Sequence, residues 1–491
     1  MIIVTIREST VALARRRLGA VGPGAGGVEI RLDDLAGQDW AGLIAGARLP
    51  VVATCRPSHL GGGFAGSEEE RVELLAAAAA AGAAWVDVEL GSAAEALRAH
   101  LPAERLVISH HEFDPGVGRL DATYERLVGA APGRRVKLAY MPRRCSDCLA
   151  GRQLLARARR DGVSLILITM GEAGIPGRLM ACSWGSTWSY ASPDGAPPAA
   201  PGQMSLARMA SLYNVENIEP ETVLTGLLGH PIATSLSPWM HNRAAALAGI
   251  DARYLPFPEQ DAADFVLNMP AWGLTGASVT RPHKRAVLPW MDDLSDAARA
   301  CQAVNTITHT SARLHGDNTD ASAAMAAIGE AWPSGRDLRG LRFGVIGAGG
   351  AARSVVWAAR EAGGAVTVYA RHVEAAADLA REFGVACEAL AALDPVDLDV
   401  LVNATPVGTW PDIDSSPVPD GAVGGELVFD LVSNPETTCL LRLAAERGIA
   451  TQNGVAMLVR QGEAQYRLWH GVPPPPGAFL VAAREGLRHP G

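Results

Sequence analysis

Short apolar runs recur along the first part of the chain: IIVTI (2–6), VEIRL (28–32), PVVATC (50–55), WVDVEL (85–90), RLVIS (105–109), RVKLAY (135–140), VSLILIT (163–169) and RLMACS (178–183). Strands this continuously apolar are buried on both faces, as in parallel sheets. Stretches with helical patterning, such as SEEERVELLAAAAAA (67–81) and CLAGRQLLARARR (148–160), lie between several of them. Eight β units in about 200 residues predict an α/β fold that begins with a (β/α)8 barrel rather than an open doubly wound sheet. Polar residues favour the barrel because they cluster toward the C-terminal ends of the predicted strands: Glu29 and Arg31, Arg56, Glu89, His110 and His111, and Lys137. In a barrel those ends converge on one mouth.

A Pro-, Gly- and Ala-rich stretch, SPDGAPPAAPGQ (192–203), precedes a short predicted helix, MSLARMASLY (204–213). The polar connector NVENIEPET (214–222) then marks a domain boundary. Farther on, LRFGVIGAGGAARSVVWAARE (341–361) reads as strand, glycine turn and amphipathic helix. That order suits a dinucleotide: glycines admit the pyrophosphate, and the helix N-terminus stabilises its charge. The next strand, AVTVYA (365–370), ends on Arg371 and His372 where a free 2′-hydroxyl would want an acid. A guanidinium there fits a 2′-phosphate, so NADP is expected rather than NAD.

Lys137 is the unusual residue of the first half, a cation among apolar neighbours. Desolvation is expected to lower its pKa, and a neutral amine can attack a ketone to form an imine. His111, on the preceding strand, is placed to act as general base and then acid. Arg31, Arg56 and Arg178 are candidates for a carboxylate and hydroxyls, and Glu29 and Glu89 for orienting the lysine and histidine. In the second half, a loop with Ser235 and Ser237 leads into a helix bearing His241 and Asn242; Thr280 and Lys284, Asn305, and Asp320 follow. These supply hydroxyls and amides for a polyol, with one Lys and one Asp as an acid–base pair for a developing alkoxide.

The net charge of −9 argues against a nucleic-acid partner, which calls for a basic footprint. The longest near-apolar run, Leu74 to Val86, has 13 residues and is too short to span a bilayer. No basic n-region precedes an apolar segment at the N-terminus. Seven scattered cysteines predict reduced thiols and a cytoplasmic protein. Cys145 and Cys148 form a C-x-x-C with no second pair at zinc-site spacing, so no metal is expected.

The first half resembles type I 3-dehydroquinate dehydratase, through Val28–Asp33, Thr54-Cys55-Arg56 before Gly61-Gly62, Val86–Leu90, Ile108–Phe113, Lys137–Pro142, Met170-Gly171 with Arg178, and Ala200–Gln203. The resemblance implies that Lys137 forms a Schiff base, His111 moves the proton, Arg178 holds a carboxylate and Gln203 belongs to a lid. Leu60 and Ala199 depart from the family, replacing a glutamate and a serine. The remainder looks like shikimate dehydrogenase over roughly 223–485, through Gly229–Pro238, Gly276–Lys284, Ala303–Thr306, Gly316–Asp320, the glycine turn, Asn403–Gly408 and Gly454–Gln461. That resemblance implies Lys284 and Asp320 as the catalytic pair. It puts Ser235, Ser237, Thr280, Asn305, Asp320 and Gln461 on the substrate. Gly347, Gly349, Gly350, Arg353, Arg371, Asn403 and Thr405 fall to the cofactor. Ser278 and Ser433 stand where the family often has Asn and Tyr, while Ser237 and Thr280 favour shikimate over quinate.

The expected division is 1–217 for the barrel, 218–322 plus 457–491 for a substrate-binding domain, and 323–456 for a Rossmann-like NADP-binding domain. The expected function is bifunctional: dehydration of 3-dehydroquinate to 3-dehydroshikimate, then NADPH-dependent reduction to shikimate. Two alternatives stand beside it: a quinate/shikimate dehydrogenase with a weakened dehydratase half, and a non-catalytic regulator of quinate metabolism.

Overall fold

A computed structural model describes residues 1–131, 135–333 and 337–488. Contacts divide the chain into two compact units, Met1–Thr222 with Leu255–Gln260, and Val223–Tyr254 with Asp261–Gly491.

The first unit is built on eight parallel strands: β1 (Ile2–Ile6), β2 (Gly27–Arg31), β3 (Val51–Thr54), β4 (Trp85–Glu89), β5 (Leu106–Glu112), β6 (Arg135–Tyr140), β7 (Ser164–Thr169) and β8 (Ser189–Ala191). Each pairs with its sequence neighbour from β1 to β7, and β1 also pairs with β8. At the seam between β7 and β8, Thr187 N donates to Leu165 O at 2.9 Å and Leu167 N to Ser186 Oγ at 3.0 Å. The barrel is thereby nearly closed. Its floor is apolar, with Ile3, Val52, Val107, Ile166, Trp188 and Tyr190 packed together. The helix Glu68–Ala80 starts on a capping box in which Ser67 and Glu70 satisfy each other's backbone N–H groups.

One predicted strand is a helix. The run at 178–183 falls in and after the helix Ile175–Met180, with Pro176 in its first turn, and the eighth strand is the three-residue Ser189–Ala191. An apolar run that is fully buried carries no period, so helix and strand look alike in it. Pro176 and the nearby glycines were the signal for a helix start.

The second unit holds two sheets. In one, Val223–Gly229 pairs in parallel with Leu274–Val279, which runs antiparallel to Thr306–Thr310, itself antiparallel to Arg313–Asp317. The other is all parallel, in the order Ala386–Ala389, Ala365–Ala370, Arg342–Ile346, Val400–Asn403, Leu427–Asp430, Ala450–Gln452. That is the strand order 3-2-1-4-5-6 of a Rossmann-like sheet, with the nucleotide crevice at the switch beside Arg342–Ile346. The C-terminal helix Ala478–Arg488 packs through Phe479, Ala482 and Ala483 onto Met240, Ala244 and Ala245 of the helix Ser237–Ala248.

His241 sits inside that helix packing. Its ring stacks on Tyr254 at 4.4 Å, with Phe479 edge-on at 5.0 Å, and neither ring nitrogen makes a hydrogen bond. Burial, reinforced by nearby His470, pushes its pKa down to about 3. The unfolded chain takes a proton near pH 6.5 whereas the folded chain refuses it until about pH 3, so stability is intact above pH 6.5 and declines as pH falls below it. We expect the loss to approach about 1 kcal/mol per pH unit for this one group. Melting curves at pH 7 and pH 5 should therefore converge in His241→Phe. An unchanged pH slope in that variant would refute the assignment.

Candidate active sites

Lys137 lies mid-strand on β6, and its side chain enters a cavity of about 160 Å³ at the C-terminal side of the barrel. The cavity is shared with Glu29, Arg31, Arg56, His111, Arg178, Tyr190 and Gln203. β5 and β6 run in register with Ser109 opposite Lys137, so His111, two residues on, faces the same interior. All of these but Tyr190 are sequence candidates, and the fold brings them together.

The expectation of a neutral Lys137 is corrected. Its ammonium donates to Asp87 Oδ2 at 2.7 Å, Glu29 Oε1 lies 3.8 Å away, and the Tyr190 ring centroid 4.3 Å away. Burial alone would push the amine down, but the charges of Asp87 and Glu29 outweigh it and the lysine is held well above its ordinary pKa. Asp87 is fully buried and also accepts from Ser109 Oγ at 2.6 Å. Despite that burial, Lys137 holds the carboxyl below its usual range. Asp87 is the residue that sequence reading missed. The available signal was the i, i+2 spacing of Asp87 and Glu89 in an apolar strand, which aims both carboxylates inward.

The other polar groups are more committed than expected. Glu29 accepts from Thr5 and Thr54 at 2.9 and 2.8 Å. Glu89 does not orient the histidine: it accepts from Arg71 at 2.6 Å and from Arg56 at 3.3 Å. Arg31 is paired two-pronged with Asp33 at 2.8 and 2.6 Å. Gln203 donates to Thr5 Oγ1 at 3.2 Å and accepts from Ala199 N at 2.8 Å. His111 Nδ1 is buried without a partner, and burial together with Arg56 and Lys137 keeps the imidazole neutral, its pKa well below the ordinary value. Arg178 differs from all of these. It is 1% exposed, has no carboxylate partner among the described residues, and touches only Pro201 O at 3.4 Å. Burial pulls its pKa down to about 10. Leu60 and Ala199 line the same cavity, so both departures face whatever binds there.

The second site is a cleft of about 1120 Å³ along the edge of the Rossmann-like sheet. It is lined by Gly347, Gly349, Gly350, Arg371, Thr405 and Ser433 on one side and by Thr280 and Lys284 on the other. Gly347 has φ +114°, and a Cβ there would meet Thr405 Cγ2 at 3.1 Å. A Cβ on Gly350 would meet the Lys284 side chain at 3.1 Å. The helix Gly350–Glu361 begins at Gly349 without a side-chain cap, leaving its first N–H groups for a ligand. The cradle thus fits a dinucleotide pyrophosphate, and Arg371 stands beside it just after Ala365–Ala370.

Lys284 forms a close ion pair with Asp320, the first residue of the helix Asp320–Ala331. Asn305 donates to the other oxygen of Asp320 at 2.8 Å and to Thr319 Oγ1 at 2.9 Å. Gln465, another residue missed in the sequence, donates to Asn305 O and Thr306 Oγ1 at 3.1 Å and accepts from Ser278 at 2.8 Å. Ser235 Oγ accepts from Ser237 N at 3.3 Å, at the entrance to the helix Ser237–Ala248.

Three residues expected at a ligand are engaged by the protein itself. Arg353 is buried, its guanidinium bonded to Cys301 O at 2.7 Å and Glu382 at 2.5 Å, so it turns away from the cleft. Asn403 is fully buried, donating to Asp430 at 2.9 Å and accepting from Thr405 Oγ1 at 2.7 Å, so it braces the loop. The Gln461 amide donates to Leu458 O of its own helix at 2.8 Å. Burial lifts the Asp430 carboxyl to about 6.

A barrel with a lysine-centred, anion-accepting cavity, joined to a dinucleotide cleft with a lysine–aspartate pair, defines a two-site α/β enzyme. Comparison with known proteins agrees. The type I 3-dehydroquinase profile matches residues 2–220, the shikimate dehydrogenase substrate binding domain 227–307, and the shikimate 5′-dehydrogenase C-terminal domain 454–483. A chloroplastic bifunctional 3-dehydroquinate dehydratase/shikimate dehydrogenase of Arabidopsis thaliana is 32% identical over 92% of this chain and 79% of its own length. A shikimate dehydrogenase (NADP(+)) of Moorella thermoacetica is 37% identical over 55% of this chain and 95% of its own. Among solved structures, a shikimate dehydrogenase in complex with NADP+ matches with a TM-score of 0.52 and 33% identity, over 55% of this chain and 97% of that one. The chain belongs to the bifunctional 3-dehydroquinate dehydratase/shikimate dehydrogenase family.

An arginine buried without a counter-charge destabilises the empty barrel. Citrate, as a small carboxylate, is expected to raise the melting temperature of the native chain; Arg178→Met is expected to raise the stability of the ligand-free chain by about 1–3 kcal/mol and to abolish that shift. A lower melting temperature with the citrate shift retained would show that Arg178 is a structural cation.

Proposed function

We propose that the chain dehydrates 3-dehydroquinate to 3-dehydroshikimate in the barrel and reduces that product to shikimate with NADPH in the second unit. The observation that carries the first step is Arg178, a buried cation with only a carbonyl contact, in the same cavity as Lys137 and His111. Arg178 takes the substrate carboxylate. Lys137 sheds its proton and its nitrogen condenses with the ketone, releasing water. His111, neutral and with a free ring nitrogen, removes the proton next to the imine carbon and returns it to the departing hydroxyl, which leaves as a second water. Hydrolysis of the imine frees the enone and regenerates the lysine. Asp87 positions the amine and is the nearest acceptor for its proton, and Gln203 covers the site.

In the second site, Gly347, Gly349, Gly350, Thr405 and Arg371 hold NADP, the Arg371 guanidinium on the 2′-phosphate. NADPH, when bound, supplies the hydride. Lys284 protonates the carbonyl oxygen as it becomes a hydroxyl, and Asp320, steadied by Asn305, holds the lysine in place. Ser235, Ser237 and Thr280 serve the polyol hydroxyls. The activities of the relatives and the NADP requirement of the dehydrogenase relatives support this reading. We divide the chain accordingly at 1–217, 218–322 plus 457–491, and 323–456. None of the seven cysteines is in a disulfide among the described residues, which supports work in the reducing cytoplasm. No helix among the described residues is long and apolar enough to cross a membrane.

The test is a pair of variants in a coupled assay from 3-dehydroquinate. Lys137→Ala should abolish borohydride-trapped adduct and dehydration while leaving reduction of added 3-dehydroshikimate intact. Lys284→Ala should do the reverse, lowering the reduction rate by about 10²–10⁴. If both variants keep both activities, the assignment fails. Arg371→Ala should weaken NADP+ far more than NAD+; equal loss of both, or a native preference for quinate with NAD, would overturn the cofactor reading.

A further inference from the structure

The cleft of the second unit presents two guanidiniums with no assigned task. Arg281 and Arg285 flank Lys284 in sequence, are exposed, and line the lip opposite the glycine turn. Neither has an ion-pair partner among the described residues. The Lys284 stem lies against Gly350, so the segment that carries both arginines faces the first turn of the helix Gly350–Glu361.

The charges of the cleft show what is lacking there. Lys284 is paired with Asp320, and Arg371, just past Ala365–Ala370, is assigned above to the 2′-phosphate. Arg353, the one arginine in the first turn of the helix after the glycines, spends its charge on Glu382 and Cys301 O. Among the described residues, the nucleotide side of the cleft lining therefore carries no lysine or arginine besides Arg371, and the glycine turn itself offers a pyrophosphate only backbone N–H groups. Asp412, also on the cleft wall, adds a carboxylate. Two unpaired cations across the cleft are the groups left to offset that anion.

We propose that Arg281 and Arg285 clamp the cofactor pyrophosphate from the lip opposite the glycine turn. This deepens the NADP reading above and rests on it. A nicotinamide dinucleotide would then bridge the two walls, and its binding would hold in place the segment bearing Lys284. Cofactor affinity and acid placement are thereby linked through one short stretch of chain.

The test uses the full-length double variant Arg281→Ala/Arg285→Ala, with Arg371→Ala as the contrasting variant and melting temperature as the fold control. Kd values for NADP+ and NAD+ are measured by titration at several salt concentrations. Both should rise by about tenfold or more in the double variant, since both carry a pyrophosphate, and the salt dependence should flatten. The conservative Arg281→Lys/Arg285→Lys variant should recover part of the affinity. Unchanged Kd values in a folded double variant, with the native chain binding NADP+, overturn the clamp and leave the cofactor reading standing. A loss confined to NADP+ overturns it too, because the arginines would then serve the 2′-phosphate. A native chain that binds neither dinucleotide removes the cofactor reading and the clamp with it.

Discussion

The buried pair of Lys137 and Asp87 governs the N-terminal barrel. Taking an ammonium out of water is costly, and only a close, well-bonded carboxylate makes it tolerable; removing one partner of such a pair typically costs about 3–5 kcal/mol. Asp87 is itself fixed by Ser109, and Glu29 is fixed by two threonines, so the charge of the lysine is met by groups that do not move. Below this polar layer the barrel is filled by Trp188 and aliphatic side chains. The pair thus marks where the core ends and the site begins. It also leaves the amine protonated at rest, held by Asp87.

The second unit solves a different problem, setting a dinucleotide cradle against the Lys284–Asp320 ion pair. It does so by close backbone approach. A Cβ at Gly347 or Gly350 would press to 3.1 Å on Thr405 or on the Lys284 stem. Behind the Lys284–Asp320 ion pair lies a network of Asn305, Thr306, Thr319 and Gln465, each buried and each satisfied by another member. Buried polar networks of this kind fix one geometry, because a partly broken one leaves unpaired groups in a low dielectric. Ser278 is absorbed into the network through Gln465, and its hydroxyl is spent there.

Much of the fold was legible because its signals are local. Seven of the barrel strands and the helices Glu68–Ala80 and Cys148–Arg160 follow from apolar runs, caps and punctuation. The glycine turn announced the Rossmann-like sheet because strand, turn and helix are contiguous. The eighth strand was missed because three residues, Ser189–Ala191, carry almost no pattern, whereas the neighbouring helix Ile175–Met180 is apolar enough to imitate one. The same limit applies to side chains. Arg353 and Asn403 sit at motif positions that approach a ligand, yet Glu382 and Asp430, remote in sequence, capture them.

By itself, the sequence determined which residue types could do chemistry and on which strand faces they lie, since alternation and turn composition are properties of neighbouring residues. Only the tertiary structure decided how those groups are charged and paired. Lys137 is an ammonium because a carboxylate fifty positions away is 2.7 Å from it, and Arg178 is uncompensated because the described fold brings no acid to it. Electrostatic energy depends on distance in space and on burial, and neither can be read from separation along a chain.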